Sequence, residues 1–118
     1  MAEDPREILN ELNTGVGALY KADSERMQAW RDFNQANVKP GALDRKTKEL
    51  IMAALGLSVR CKYCIVHHVY EALKAGATRE ELIETAFATC HMGGGPVVAY
   101  TATLFLDAVD AFAPDFAK

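Results

Sequence analysis

The chain has no uninterrupted run of about 18 apolar residues, the length that carries a helix across a bilayer, so no membrane-spanning segment and no membrane partner are expected. It has no excess of basic charge either. Its 13 Lys and Arg stand against 16 Asp and Glu, and a formal net charge of -3 excludes the electrostatic footprint of a nucleic-acid-binding protein. The amino-terminal MAEDPREILNEL is acidic and lacks the apolar stretch of an export signal, which predicts a cytoplasmic protein. No segment alternates polar and apolar residues between turn signals, so no sheet is expected, and the chain shows no internal repeat. Three histidines are too few to place a metal, and no cofactor is expected. Three cysteines, an odd number, do not make a disulfide framework; in a reducing compartment they fit a reactive pair plus one free thiol.

What the chain does have is one dense reactive stretch. Cys61, Cys64, His67 and His68 fall within eight residues, following the helical pattern that carries Glu49. Ser58 reads as a helix N-cap, so Val59 to Ala75 is predicted to be a helix with Cys61 in its first turn. At about 100° per residue, with Cys61 as origin, Cys64 falls at about 300° and His68 at about 340°. These three share a stripe on the border between the apolar side (Ile65, Val69, Ala72, Leu73) and the polar side (His67, Glu71, Lys74).

Two thiols three residues apart on a helix can reach each other to form a disulfide. A thiolate at a helix N-terminus is stabilised by unpaired N–H groups, and Arg60 and Lys62 flank Cys61 in the same sense. His68, one turn beyond Cys64, is placed to take a thiol proton directly or through a water. This is a redox or peroxide-reducing constellation. Two other readings stay open. Cys90 and His91 are further ligand candidates for a zinc site, although the stripe offers only three ligands to one point; alternatively both cysteines merely pack in a core. His67 points away from the stripe and reads as a solvated surface residue.

Glu49, Cys61, Cys64 and His68 together reproduce E-x11-C-x2-C-x3-H. This pattern, with LDRKTKELI before it and HMGGGPVVAY after it, resembles the alkylhydroperoxidase D-like proteins of the carboxymuconolactone decarboxylase family, over about residues 40–112. The resemblance implies an all-α fold and a thiol-dependent peroxidase. In it Cys64 attacks the peroxide, Cys61 resolves, and His68 with Glu49 relays the proton. It also implies a hydroperoxide substrate, an external dithiol reductant and a homo-oligomer, commonly a hexamer built as a trimer of dimers. The archetypal peroxidase has a second histidine just before its second cysteine, where this chain has Tyr63. The helix dipole favours Cys61 as the more acidic thiol, whereas the family pattern and the nearness of His68 favour Cys64; the attack is assigned to Cys64. Glu49 projects nearly opposite Leu50, Ile51, Ala54 and Leu55, beside Ala53 and Gly56. Small residues on that side allow another helix to come close.

Taken in order, residues 1–118 read as one all-α domain of about six helices, long enough to bury a core. Asp4-Pro5-Arg6-Glu7 opens the first helix, with Glu7 as reciprocal acceptor, and Gly15 and Gly17 predict an early end. A second helix, Ser24 to Ala36, carries Met27, Trp30 and Phe33 as core or subunit contacts. Val38-Lys39-Pro40-Gly41 is a break, and Asp44 caps a helix from Arg45 to Leu57 that is apolar nearly all round, which favours oligomerisation. Gly76 reads as a C′ residue and Thr78–Glu81 as a capping box, before a helix carrying Leu82, Ile83, Ala86, Phe87 and a packed Cys90. Gly93-Gly94-Gly95-Pro96 turns the chain into a last helix to Phe112, with Pro114 onward fraying. The rival functions are a lactone decarboxylase, which needs no thiol chemistry, and a non-catalytic disulfide carrier or redox-responsive oligomer.

Overall fold

The structure, a computed structural model, describes residues 3–117; Met1, Ala2 and Lys118 of the expected domain lie outside the described residues. It is all-α, with six helices and, among the described residues, no strand. They are α1 (Pro5–Ala22), α2 (Ser24–Val38), α3 (Arg45–Ser58), α4 (Lys62–Lys74), α5 (Arg79–Gly93) and α6 (Gly95–Phe116).

Local capping sets most of these boundaries. Asp4, Asp23 and Asp44 each accept a backbone N–H in the first turn of α1, α2 and α3, which satisfies donors that the helix itself cannot pair. The reciprocal bond expected from Glu7 is absent among the described residues; the Thr78–Glu81 box at α5 has both of its bonds. Gly76, at φ 99°, ends α4 as the C′ residue: its N–H donates to Leu73, and that of Ala77 to Ala72. Gly94, at φ 69°, turns the chain between α5 and α6.

The core forms around α4. Ile65, Val66, Val69, Ala72 and Leu73 are buried against Ala53 and Leu57 of α3, Leu82 and Ala86 of α5, and Phe105, Ala108, Val109 and Phe112 of α6. Removing each large side chain of this set from water contributes about 1.5–3 kcal/mol. The helical tract of α6 is long and apolar enough to cross a membrane by length and composition, but it carries Thr101, Thr103, Asp107 and Asp110. It winds more loosely through a π turn at Thr101–Phe105, where Leu104 and Phe105 enter the core.

Four expectations are corrected. First, α1 does not stop at its glycines but runs to Ala22, since Asp23 ends it while capping α2. Second, α2 has no buried residue among those described, so Trp30 and Phe33 are not core residues of this chain; they stack on each other at 5.8 Å and stay more than half exposed. Third, Phe87 of α5 is exposed rather than in the core, because it points about 100–140° around the helix from the buried Ala86 and Leu82. Fourth, the end of the chain does not fray at Pro114. A 3-10 turn over Ala113–Phe116 is held by the Arg6–Asp115 ion pair at 2.7 Å and by Phe116 packing edge-on against Tyr70.

Candidate active site

The cysteine pair is set by the junction of α3 and α4. α3 ends in a left-handed turn at Arg60, φ 56°, with the Arg60 N–H donating to Leu57 and that of Cys61 to Gly56. Arg60 is the one non-glycine at positive φ among the described residues, a conformation with a steric cost that tertiary packing has to hold. This corrects the expected helix start. Ser58 is the last residue of α3, its hydroxyl donating back to Leu55, and Cys61 is itself the N-cap of α4. The Cys64 N–H donates to Cys61 Sγ at 3.2 Å, so the first sulfur takes the place of a capping hydroxyl. Cys61 and Cys64 are joined as a disulfide with their Cα atoms 5.2 Å apart, inside the range that such a bond spans.

α3 then lies unusually close to α4. A Cβ on Gly56 would come within 2.8 Å of Cys64 Cβ, so only glycine lets the two helices meet at the cysteines. The same close side of α3 carries Ala53 and Glu49. Glu49 is 2% exposed, and its Oε1 lies 2.9 Å from His68 Nδ1. An ionised carboxylate only accepts, so with Glu49 in that form Nδ1 carries a proton, and in the neutral imidazole Nε2 then holds the free lone pair, on a residue one turn from Cys64. The structure thus brings Glu49, Cys61, Cys64 and His68 to one seam between two helices.

His67 is not the solvated residue expected of it. Its ring packs edge-on against His68, with centroids 4.8 Å apart, and burial lowers its pKa, with the charge of His68 acting in the same sense. Tyr63 packs on the core, and its hydroxyl donates to Glu11 of α1, which raises the phenol pKa. Lys62 turns to Glu3 at 3.0 Å, so its charge is shared with that carboxylate instead of being directed wholly to Cys61. Cys90 is a free, half-buried thiol 3.4 Å from the Thr101 hydroxyl.

Two residues near the seam escaped the sequence reading. Arg45, the first residue of α3, places Nε 3.9 Å from Glu49 Oε2 and Nη2 3.8 Å from Glu71 Oε2. Glu71 lies on α4, and its Oε2 is buried with no hydrogen-bond partner among the described residues. The Arg45–Glu49 spacing of one helical turn was a visible signal; the crossing to Glu71 was not. On the opposite side of α3 an open apolar groove of about 510 Å³ runs along α5, lined by residues such as Leu50, Ala54, Leu55 and Met92. It is separate from the cysteines.

The family model of the carboxymuconolactone decarboxylase family matches residues 25–108. An uncharacterized protein of Cupriavidus necator is 36% identical over 113 residues, covering 94% of this chain and all of that protein. The crystal structure of a carboxymuconolactone decarboxylase family protein from Legionella pneumophila superposes with a TM-score of 0.83 at 39% identity, covering 97% of each chain. A protein of the same family from Thermotoga maritima shares the fold, with a TM-score of 0.75 at 24% identity over 91% of this chain and 93% of that one. A family match over most of the length, with two chain-long likenesses above 30% identity, establishes that this chain belongs to the carboxymuconolactone decarboxylase family.

Proposed function

We propose that this protein is a thiol-dependent peroxidase and disulfide oxidoreductase of the alkylhydroperoxidase D-like kind. The observation that carries the reading is the Glu49–His68 hydrogen bond, buried beside a bonded Cys61–Cys64 pair. In the reduced protein, His68 Nε2 takes the Cys64 proton. The thiolate then attacks one oxygen of a hydroperoxide, ROOH, and the O–O bond breaks; the alkoxide takes up a proton and leaves as ROH, while Cys64 becomes a sulfenic acid. Cys61 condenses with it, releasing water and forming the disulfide, and an external dithiol returns both thiols at the cost of its own oxidation. Tyr63, where the archetype has a second histidine, is engaged with Glu11, so His68 and Glu49 form the whole relay in this proposal.

The same proposal places the protein in the cytoplasm as a homo-oligomer, a hexamer of three dimers. Support for association comes from the exposed Trp30 and Phe33 of α2 and from the apolar groove beside α3. The Thermotoga relative is itself a candidate for an antioxidative response; at its identity, the likeness carries the fold and not the activity.

The test is thiol counting by mass spectrometry before and after one equivalent of hydroperoxide. A rapid Cys61–Cys64 bond, reversed by a dithiol, and loss of turnover in both Cys61→Ser and Cys64→Ser are expected. Full turnover in either variant removes the disulfide cycle. Thiols that stay reduced and unreactive leave the lactone decarboxylase or a non-catalytic role.

A further inference from the structure

Arg45 stands between two carboxylates and is hydrogen-bonded to neither. At 3.9 Å from Glu49 and 3.8 Å from Glu71, both contacts are ion pairs longer than a hydrogen bond. Glu49 already gives its other oxygen to His68, while Glu71 keeps a buried oxygen that nothing described satisfies. A buried acceptor without a donor is costly and rare in a well-packed protein. Its position, within a small side-chain rotation of a half-exposed guanidinium, gives it a use.

Consider the proton that His68 takes from the Cys64 thiol. The imidazolium and the guanidinium then both face Glu49, and the two cations repel. Arg45 can relieve this by closing the gap to Glu71 Oε2. We infer that Arg45 and Glu71 are positioning residues: Arg45 shares its charge between Glu49 and Glu71, and moves to the unsatisfied oxygen of Glu71 when His68 takes up the thiol proton. The inference rests on the reading of His68 as the base for Cys64. No electron moves in this step; one proton passes from sulfur to Nε2.

Glu49 of α3 contacts His68 directly and His67 packs on its ring; Arg45 of α3 reaches Glu49, Glu71 of α4 reaches Arg45, and the two thiols precede His68 at the start of α4. Several other charges on elements packed against α4 are engaged elsewhere, whereas Glu7 and Lys21 of α1 and Asp107 of α6 have no ion pair among the described residues. Glu11 is held by Tyr63, Glu3 by Lys62 and Asp115 by Arg6. Asp110 is held by Arg79, while Lys46 turns to Glu81 and Lys48 to the carbonyls of Asn37 and Lys39.

The experiment is an NMR titration of the His68 ring nitrogens in the reduced protein, comparing wild type with Arg45→Met, Glu71→Gln and the double variant. Arg45→Met removes the competing cation, so the His68 midpoint rises; Glu71→Gln commits Arg45 to Glu49, so the midpoint falls, each by about 0.5–1 pH unit after allowance for solvent screening. In the Arg45→Met background, Glu71→Gln adds little, because Glu71 acts through Arg45. Shifts of the same sign, unmoved midpoints, or additive shifts in the double variant overturn the inference. Circular dichroism checks that each variant folds, and Arg45→Lys, which keeps the charge, returns the midpoint most of the way to wild type. The titration needs no peroxide. Opposite, coupled shifts in a protein that reduces no peroxide would keep this charge sharing and remove the peroxidase reading; turnover with an unmoved midpoint would do the reverse.

Discussion

The α3–α4 seam and the α1–α2 hairpin are built from helices of similar length, and they are opposites in packing. At the seam, Gly56 meets Cys64, Glu49 is 2% exposed, and the helices touch so closely that one added methyl group has no room. In the hairpin, α2 buries nothing among its described residues, and Trp30 and Phe33 are 56% and 59% exposed. Chemistry needs side chains held within fractions of an ångström, and only dense packing does that. An apolar side left open on α2 is suited instead to meeting another surface.

The sharpest way to break the seam is at its buried carboxylate. Glu49→Gln keeps the shape and one acceptor oxygen but removes the negative charge that supports His68 as the base, and peroxide turnover should fall about 10²-fold. Stopped-flow measurement of disulfide formation checks it, with Glu49→Asp recovering part of the rate. Next is Gly56→Ala. Its new Cβ would lie 2.8 Å from that of Cys64, so the helices must part, at about 1–3 kcal/mol of overpacking strain. Urea unfolding reads the stability loss, and slower disulfide formation in the same variant reads the displaced cysteine.

The pH dependence at the seam is a smaller effect. Burial holds the His67 pKa below its ordinary value of 6.5, so the unfolded chain binds that proton more readily than the folded one. The resulting stability is complete above the ordinary value and is lost as pH falls from there through the lower folded value. Urea midpoints across that window should slope less in His67→Gln than in wild type. The smallest intrachain effect belongs to the hairpin: Trp30→Ala with Phe33→Ala should change the unfolding free energy of the isolated chain by no more than about 0.5 kcal/mol. Sedimentation of the same variant should show weakened association if α2 is a subunit contact. A large intrachain loss would erase the contrast between the two regions.

The elements themselves were largely legible. Asp4, Asp44, Thr78 with Glu81, Gly76 and the glycine run before Pro96 all act where their spacing placed them, because a cap is a contact between residues two to five apart. The small residues Ala53 and Gly56 beside Glu49 also marked the side of α3 on which another helix comes close. The start of α4 was misplaced by three residues because Ser58 resembles a cap. What competes with it is the left-handed turn at Arg60, which no local preference announces. His67 looked solvated on a helical wheel, yet the ring of its neighbour covers it.

Local chemistry along the chain is therefore enough to specify an all-α chain, most of its caps, and the order in which Glu49, Cys61, Cys64 and His68 occur. These depend on hydrogen bonds and periodicities a few residues long. The burial of Glu49, its bond to His68, the bridge from Arg45 to Glu71 and the bare side of α2 depend on how one helix crosses another. A crossing is a balance of many weak contacts between distant residues, and that balance exists only once the chain has packed.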